Sequence, residues 1–333
     1  MGNIVITSIQ LPTSSVMAML SKARHFGVRI IVIGDRKTPN ADWPDGIDFV
    51  SLPDQLGLDF GLGSKLPENH YSRKNIGYLI AMSRNSPFIF DTDDDNAPLE
   101  SWRTRSLALH ARPCIQSGWI NAYRWFSDEH VWPRGLPLAN ARHGSAVPKI
   151  GALADFVSPI QQGLANGSPD VDAVWRLLMD REITFRDEES VLLPTGSWCP
   201  FNSQSTWWFP HAYPLAYLPS FVSFRMTDIW RSFIAQRCLW ALGHGVVFHG
   251  PEMFQNRNEH NLLRDFEQEV PGYLANDRIR DILERTTLLA GTHEVSNNLH
   301  RCYEALINER VIPGDEMALI EHWLLDVGRL VHV

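Results

Sequence analysis

The feature that most constrains the fold is a regular alternation of strand-like and helix-like segments over the first hundred residues. Short apolar runs predict strands at residues 3–9, 28–33, 49–52 and 87–90. Between them, residues 12–26 and 72–84 carry apolar side chains at helical spacing. Strands that alternate with helices predict an α/β fold, in which helices cover a parallel sheet. Ligands bind such sheets beyond the carboxyl ends of the strands.

The rest of the chain divides into two parts. Residues 97–224 are rich in Pro, Gly and Trp and predict long ordered loops, which usually form binding surfaces. A helix at 228–242 and a strand at 245–249 follow. The C-terminal part predicts only helices, at residues 262–269, 277–289, 294–309 and 315–331. We therefore predict one α/β domain over residues 1–255 and a helical appendage over residues 256–333.

Composition limits the classes of partner. The net charge of the 333 residues is -8 and no basic block is present, which argues against a nucleic-acid partner. The four cysteines are far apart and predict free thiols in a reducing compartment. With no signal-peptide layout and no apolar run of about 18 residues, we expect a cytoplasmic chain without a transmembrane segment. Peripheral membrane association stays open.

The stretch FIFDTDDDN (88–96) places four carboxylates directly after a predicted buried strand. Carboxylates this close repel one another unless a cation is present, and Mg²⁺ and Mn²⁺ prefer oxygen ligands. A D-x-D motif after a buried strand is the arrangement of GT-A glycosyltransferases, in which the metal bridges the diphosphate of a nucleotide sugar. One alternative is a solvated acidic turn. A calcium loop does not fit, because its glycine and glutamate positions hold Asn96 and Trp102.

A second segment, TDIWRSFIAQR (227–237), is similar to the late part of GT-A domains, where an acidic residue opens a helix near the acceptor. In inverting members that residue removes the proton of the acceptor hydroxyl. Asp228 takes this position, and Arg231 follows on the same helix. The alternative for Asp228 is a helix N-cap.

Longer motifs carry a more specific resemblance. The strings YSRKNIGYL (71–79), VWPRGLPLAN (131–140) and IQQGLANGSPDVD (160–172) resemble the STELLO glycosyltransferase family, and the match runs from about residue 30 to residue 248. This resemblance implies a GT-A-like, Rossmann-like domain with a mixed, mostly parallel central sheet. It also implies a UDP-sugar donor, Mn²⁺ or Mg²⁺, and a carbohydrate or glycan acceptor. The family is distantly similar to the reversibly glycosylated polypeptides, which are UDP-arabinopyranose mutases.

The chain departs from the family pattern in three places. We expect no counterpart here of the membrane-spanning N-terminal region of the plant members, so their Golgi location is not carried over. The family has Asp-Asp-Arg-Gly where this chain has Asp94, Asp95 and Asn96. The family histidine after the late strand aligns with Phe254, although His249 is close by, so we do not expect a histidine metal ligand.

The resemblance and the motif positions together suggest roles for individual residues. We expect Asp93 to be the main metal ligand, with Asp91 contacting ribose or metal, and Asp94 and Asp95 adding a second metal contact or a contact to a sugar hydroxyl. The expected catalytic residues are Asp228, Asp170 and Asp172, of which the last two could equally cap a helix. The expected donor-binding residues are Thr7, Ser8, Asp35, Arg73, Lys74, Asp91, Arg134, Asn202 and Arg231. Trp207 and Trp208 fit either a sugar subsite or the core.

Three functions remain open on the sequence. The first is a metal-dependent glycosyltransferase. The second is a UDP-sugar mutase or a self-glycosylating protein. The third, from another class, is a non-catalytic nucleotide-sugar-binding or scaffold protein. The sequence also leaves open whether the C-terminal helices form a homodimer interface or close over the site.

Overall fold

The computed structural model describes residues 1–39, 41–142, 146–256 and 261–331. The strands are β1 (Asn3–Thr7), β2 (Arg29–Ile33), β3 (Ile47–Val50), β4 (Ile89–Asp91), β5 (Asn96–Pro98), β6 (Ala108–Pro113), β7 (Gly118–Trp119), β8 (Ala154–Val157), β9 (Ile160–Gly167), β10 (Val191–Leu193), β11 (Ser197–Trp198), β12 (Thr206–Trp208) and β13 (Val246–Gln255). The α-helices are α1 (Ser14–Phe26), α2 (Leu52–Leu56), α3 (Lys74–Ser83), α4 (Tyr123–Phe126), α5 (Leu138–Arg142), α6 (Ala173–Leu178), α7 (Thr227–Ala241), α8 (Leu262–Arg285), α9 (Val295–Asn308) and α10 (Glu316–Leu330).

The predicted α/β class is confirmed. Within the described residues an 11-stranded mixed sheet has the order β3-β2-β1-β4-β12-β9-β13-β10-β6-β8, with β5 paired to β13. Its N-terminal four strands are all parallel. Apolar side chains on β1 and β2 are buried because helices cover the sheet, which explains their continuous apolar runs. This architecture is consistent with a GT-A-like fold.

Two local predictions need correction. The third strand covers Ile47–Val50 instead of 49–52, because Ser51 caps the short helix α2. The region 97–224 is not only loops, since it contributes the strands β5 to β12. Two of these, β9 and β12, lie in the centre of the sheet between β4 and β13.

The C-terminal part is helical, as predicted, but its first two predicted helices are a single helix. α8 runs unbroken from Leu262 to Arg285 with Pro271 inside it. Packing accounts for the glycine of this Pro-Gly pair. A Cβ on Gly272 would lie 2.2 Å from Met226 Sδ, so the glycine lets α8 lie close against the segment before α7. The proposed boundary after residue 255 stays a prediction.

The C-terminal helices share one buried core with the sheet domain. This hydrophobic cluster includes Val5 of β1, Phe233 of α7, Leu299 of α9 and Trp323 of α10. In the described part of the chain, no helix is both long and apolar enough to cross a bilayer. The predicted cytoplasmic location stays a prediction.

Candidate active site

A cavity of about 400 Å³ opens at the carboxyl ends of β1, β2 and β4, a volume typical of small-molecule sites. Predicted site residues on its lining are Thr7, Ser8, Asp35, Arg73, Asp93, Asp95, Arg134 and Asp228. Predicted site residues outside its lining are Lys74, Asp91, Asp170, Asp172, Asn202 and Arg231. Sequence motifs more than 200 residues apart thus meet at one cavity.

Three consecutive carboxylates, Asp93, Asp94 and Asp95, form an acidic cluster on the cavity wall. Tyr71 Oη donates a hydrogen bond to Asp93 Oδ1 at 2.6 Å, and Lys74 Nζ donates to the same oxygen at 2.9 Å. Burial nevertheless raises the pKa of Asp93 above its ordinary value, even though the positive charge of Lys74 acts in the opposite direction. The other oxygen of Asp93 keeps its capacity to bind a ligand.

The other two carboxylates of the cluster are held by neutral partners. Ser8 Oγ donates to Asp94 Oδ2 at 2.5 Å, and Gln255 Nε2 donates to Asp95 Oδ2 at 3.0 Å. Burial raises the pKa of Asp95 to about 7, and the negative charges of Asp93 and Asp94 add to the rise. Asp95 Oδ1 is buried and accepts no hydrogen bond from the described residues. The cluster thus carries more negative charge than its neighbours compensate.

Behind the cluster lies a buried ionic layer made of Asp91, Lys74 and Arg231. Lys74 Nζ lies 2.7 Å from Asp91 Oδ1, and Arg231 Nη1 lies 3.1 Å from Asp91 Oδ2. All three side chains are essentially unexposed. The motifs predicted contacts of these residues with donor or metal, but none of the three lines the cavity. Asp91 ends β4 facing inward, and its two cationic partners neutralise it there.

At another part of the cavity wall, Arg134 lies between two carboxylates. Its Nε and Nη2 donate to the two oxygens of Asp170 at 2.7 Å, and its Nη1 and Nη2 donate to the two oxygens of Asp228 at 3.0 Å. Burial alone would raise the pKa of Asp228. The charge and hydrogen bonds of Arg134 outweigh burial and hold that pKa below its ordinary value. Asp228 is therefore an ionised carboxylate at neutral pH.

The WPRGLP loop holds Arg134 in this position. Gly135 has a φ of +93°, a backbone conformation that favours glycine. A Cβ at Gly135 would also lie 2.4 Å from Ile229 Cγ2 in the first turn of α7. The glycine therefore brings the loop against the start of α7, where Asp228 lies.

Two predicted site residues, Asp172 and Asn202, do not line the cavity but stabilise the backbone by accepting hydrogen bonds. Asp172 is the N-cap of α6 and accepts hydrogen bonds from Trp175 N at 2.7 Å and Trp132 Nε1 at 2.6 Å. Burial raises its pKa to about 7. Helix capping is one of the two roles that the sequence leaves open for Asp172. Asn202 Oδ1 accepts from Gln204 N at 2.9 Å and so fixes a buried turn.

The tryptophans considered for a sugar subsite belong to the core. Trp207 and Trp208 are both 0% exposed, and Trp207 Nε1 donates to the buried Glu252 at 2.9 Å. Core packing is therefore the observed role of both rings.

The ends of β1 and β2 form a third part of the wall. Ser8 directly follows β1, and Asp35 follows β2 after one glycine. The carboxylate of Asp35 accepts from Asn69 N at 2.8 Å and from His70 N at 3.0 Å. Asp35 therefore fixes the turn that carries His70 to the cavity.

Comparison with known proteins gives the same family as the motifs. Residues 225–332 match the family model described as STELLO glycosyltransferases. Two relatives in Arabidopsis thaliana, named Probable glycosyltransferase STELLO2 and Probable glycosyltransferase STELLO1, are 31% and 32% identical to this chain over 274 and 273 residues. Each alignment covers 74% of this chain. The chain belongs to the STELLO family.

The region that matches the family model reaches the cavity, because Arg225, Asp228 and Gln255 line it. The alignments with the two Arabidopsis STELLO proteins cover 35% and 34% of those proteins, so this chain spans about a third of their length. The region that matches the STELLO family model includes Asp228 and the helices α8, α9 and α10. The helical C-terminal part therefore belongs to the family-defining region.

Several cavity residues of this STELLO-family chain were not among the sequence-based assignments. They are Gln10, Lys37, Asn69, His70, Tyr71, Phe224, Arg225 and Gln255. Tyr71 stands in the motif YSRKNIGYL, three residues before Lys74, and that spacing on a helical turn could have indicated it. Gln255 has no comparable signal, because only the pairing of β13 with β5 brings it beside Asp95.

The acidic cluster fits a hard divalent cation. Its donors are carboxylate oxygens, its charge is undercompensated, and Asp95 Oδ1 has no hydrogen-bond partner among the described residues. Among the described residues, no group of three or more His, Cys, Asp or Glu side chains is arranged to hold a metal ion. A cation bound here would therefore take further ligands from water and phosphate, as Mg²⁺ commonly does.

Proposed function

We propose that this chain is a metal-dependent glycosyltransferase that moves a sugar from a UDP-sugar donor to a carbohydrate acceptor. The observation that carries this proposal is the acidic cluster, whose uncompensated charge faces a ligand-sized cavity at the strand ends. Membership of the STELLO family supports it, since both Arabidopsis relatives are named probable glycosyltransferases.

The donor would lie across the cavity with its nucleoside against the ends of β1 and β2, near Ser8 and Asp35. Its diphosphate would then face the acidic cluster. Both groups are anionic, so their approach requires a cation between them. We propose that Asp93 and Asp95 bind Mn²⁺ or Mg²⁺ for this purpose, with water and the diphosphate supplying the remaining ligands. Such a cation would also offset the charge that develops on the departing nucleoside diphosphate.

Asp228 would accept the proton of the acceptor hydroxyl. It is ionised and lies on the cavity wall, and both its oxygens are held in place by Arg134. Its lowered pKa makes it a weaker base than an ordinary carboxylate. We therefore expect a rate contribution at the lower end of the general-base range, about 100-fold. Asp170 would act only by positioning Arg134.

The test is incubation with a panel of UDP-sugars and sugar acceptors, with Mn²⁺ or with EDTA, followed by mass spectrometry. We expect Mn²⁺-dependent release of UDP and sugar addition to one acceptor. The double variant Asp93→Asn/Asp95→Asn should lose both signals. Its matched control is Asp155→Asn/Asp187→Asn, which changes two exposed aspartates.

Other outcomes identify the competing functions. Conversion of the donor sugar to its ring isomer would indicate a mutase, and sugar mass on the protein itself would indicate self-glycosylation. Binding of UDP-sugar without turnover, unchanged in Asp228→Ala, would contradict the enzyme proposal.

A further inference from the structure

The cavity contains cations besides any bound metal, and they are not equally available. Lys37, Arg73, Arg134 and Arg225 all line it. The three guanidinium nitrogens of Arg73 donate to Gln55, Leu66 and Gly63, and its side chain is buried. Those of Arg134 donate to Asp170, Asp228 and the carbonyl of Arg225. Lys37 is exposed on the loop after β2. Arg225 is the remaining candidate for a cation fixed inside the cavity.

Arg225 is held along one edge and free along the other. Its Nε and Nη2 donate to Glu269 Oε1 at 3.1 and 2.9 Å. Its Nη1 donates to none of the described residues, and 16% of its side chain is exposed. Arg225 lies three residues before Asp228, on the 3₁₀ turn that leads into α7. Its guanidinium therefore approaches the cavity from the same short segment as the proposed base.

Glu269 is a rigid anchor for this arginine. It lies on α8 and is 0% exposed. Its second oxygen accepts from Ala173 N and from Tyr273 Oη, both at 2.7 Å. With both oxygens engaged, the Glu269 carboxylate cannot turn away from Arg225. The C-terminal helix α8 thus fixes a charged group at the wall of a cavity formed mainly by the sheet domain.

We propose that Arg225 binds a phosphate of the donor diphosphate through Nη1, and that Glu269 is the residue that positions it. A planar guanidinium is well suited to phosphate, and an arginine already held along one edge loses little side-chain freedom on binding. The inference rests on the proposed function and adds a second cation to the diphosphate site. It also gives helix α8 of the C-terminal region an indirect part in substrate binding, because Glu269 positions Arg225.

The test is calorimetric binding in Mn²⁺ of a nucleoside diphosphate, the corresponding monophosphate and the free nucleoside. UDP, GDP and ADP are first compared on the wild type, and the tightest series is used. Arg225→Ala should weaken binding of the diphosphate by about 10- to 100-fold, since hydrogen bonds to charged groups are the strong ones. Binding of the free nucleoside should not change, which shows that the cavity is intact. Arg225→Lys should recover part of the loss.

Glu269→Gln tests the positioning role. It removes the charge that aims Arg225 but keeps an oxygen that can accept, so we expect a smaller loss of diphosphate affinity, about 3- to 10-fold. A purely structural defect would weaken the nucleoside and the diphosphate equally. Arg237→Ala is the matched control, because Arg237 also donates to α8, at Leu283 O, but does not line the cavity.

The outcomes separate the two proposals. A wild type that binds no nucleoside diphosphate overturns the proposed function and this inference with it. A wild type that binds, with equal affinity in Arg225→Ala, overturns only the role of Arg225. Loss in Arg225→Ala with no change in Glu269→Gln overturns the positioning role of Glu269.

Discussion

Two groups of carboxylates lie at the same cavity, and their pKa values shift in opposite directions. One is the acidic cluster, and the other consists of Asp170 and Asp228, which pair with Arg134. Burial raises the pKa of Asp95 to about 7, with Asp93 and Asp94 adding to the rise. Burial acts on Asp228 in the same direction, but Arg134 more than cancels it and lowers the pKa. The difference therefore comes from nearby cations and not from depth.

The two groups of carboxylates differ in how far nearby cations compensate their charge. Lys74 is divided between Asp91 and Asp93, and the donors to Asp94 and Asp95 are neutral. Arg134 instead meets two carboxylates with paired hydrogen bonds on both sides. Under the proposed function a cation would complete the acidic cluster, whereas the carboxylates of Asp170 and Asp228 already have a charge partner in Arg134.

The largest expected effect comes from removing the guanidinium of Arg134, which pairs with Asp170 and Asp228. Arg134→Met would leave Asp170 and Asp228 buried without a charge partner. We expect the free energy of unfolding to fall by about 3–5 kcal/mol, as for other broken buried pairs. Chemical denaturation measures it. Arg36→Met, at an exposed pair with Glu68, is the control and should change stability by less than about 1 kcal/mol. Equal effects of the two variants would show that Arg134 is not essential to this wall.

The next largest effect is expected from a substitution in the acidic cluster. Asp93→Asn should weaken Mn²⁺ binding in the presence of UDP by about 100-fold or more, because losing even an outer-shell partner costs 10- to 100-fold. Lys74 keeps its contact with Asp91, so the fold should remain. Calorimetric titration of Mn²⁺ gives the affinity, with exposed Asp155→Asn as the control. Unchanged Mn²⁺ affinity would mean that the cation binds elsewhere.

Asp228→Asn should lower kcat by about 100-fold with little change in KM for the donor. The amide keeps the shape of the side chain but cannot take a proton. Steady-state kinetics with the accepted UDP-sugar measures the effect. A matched drop for Asp170→Asn would indicate that Arg134, and not a general base, is the group that the reaction needs.

The strand–helix pattern and the location of the cavity could be predicted because they depend on local signals. Apolar runs mark β1, β2 and β4, and the carboxyl ends of parallel strands meet at one edge. The strand β9 was missed because its sequence, IQQGLANG, is polar. Its glutamines are buried only because distant groups satisfy them, as when Gln161 Nε2 donates to Ser106 O at 2.9 Å. Such partners cannot be read from the strand itself.

The different roles of the aspartates could not be predicted from the sequence either, because they also depend on distant partners. Asp91 and Asp93 belong to one motif, but only Asp91 faces Arg231, which lies 140 residues away. Asp228 is separated from Arg134 by 94 residues, so nothing in the motif TDIWRSFIAQR indicates that its charge is already compensated. Charge balance at each carboxylate depends on tertiary contacts, whereas the motif shows only that carboxylates are present.

The smallest expected effect is a pH dependence that should differ between the two sites. The pKa of Asp95 is higher in the folded protein, at about 7, than in the unfolded chain, so the folded state binds more protons and loses stability as pH rises from about 4 to about 7. Asp95→Asn should therefore raise the free energy of unfolding of the metal-free protein by about 1–2 kcal/mol more at pH 8 than at pH 5. Denaturation at both pH values measures the difference, and the titration of Asp172 cancels because both proteins contain it.

Asp228→Asn should instead lower the free energy of unfolding at pH 8, because there the folded state favours the ionised form of Asp228. Added Mn²⁺ should stabilise the wild type more than Asp95→Asn, since it binds the folded state through the carboxylate that the variant lacks. If Asp95→Asn has the same effect at pH 5 and pH 8, the carboxylate is already compensated, and the contrast between the two sites fails.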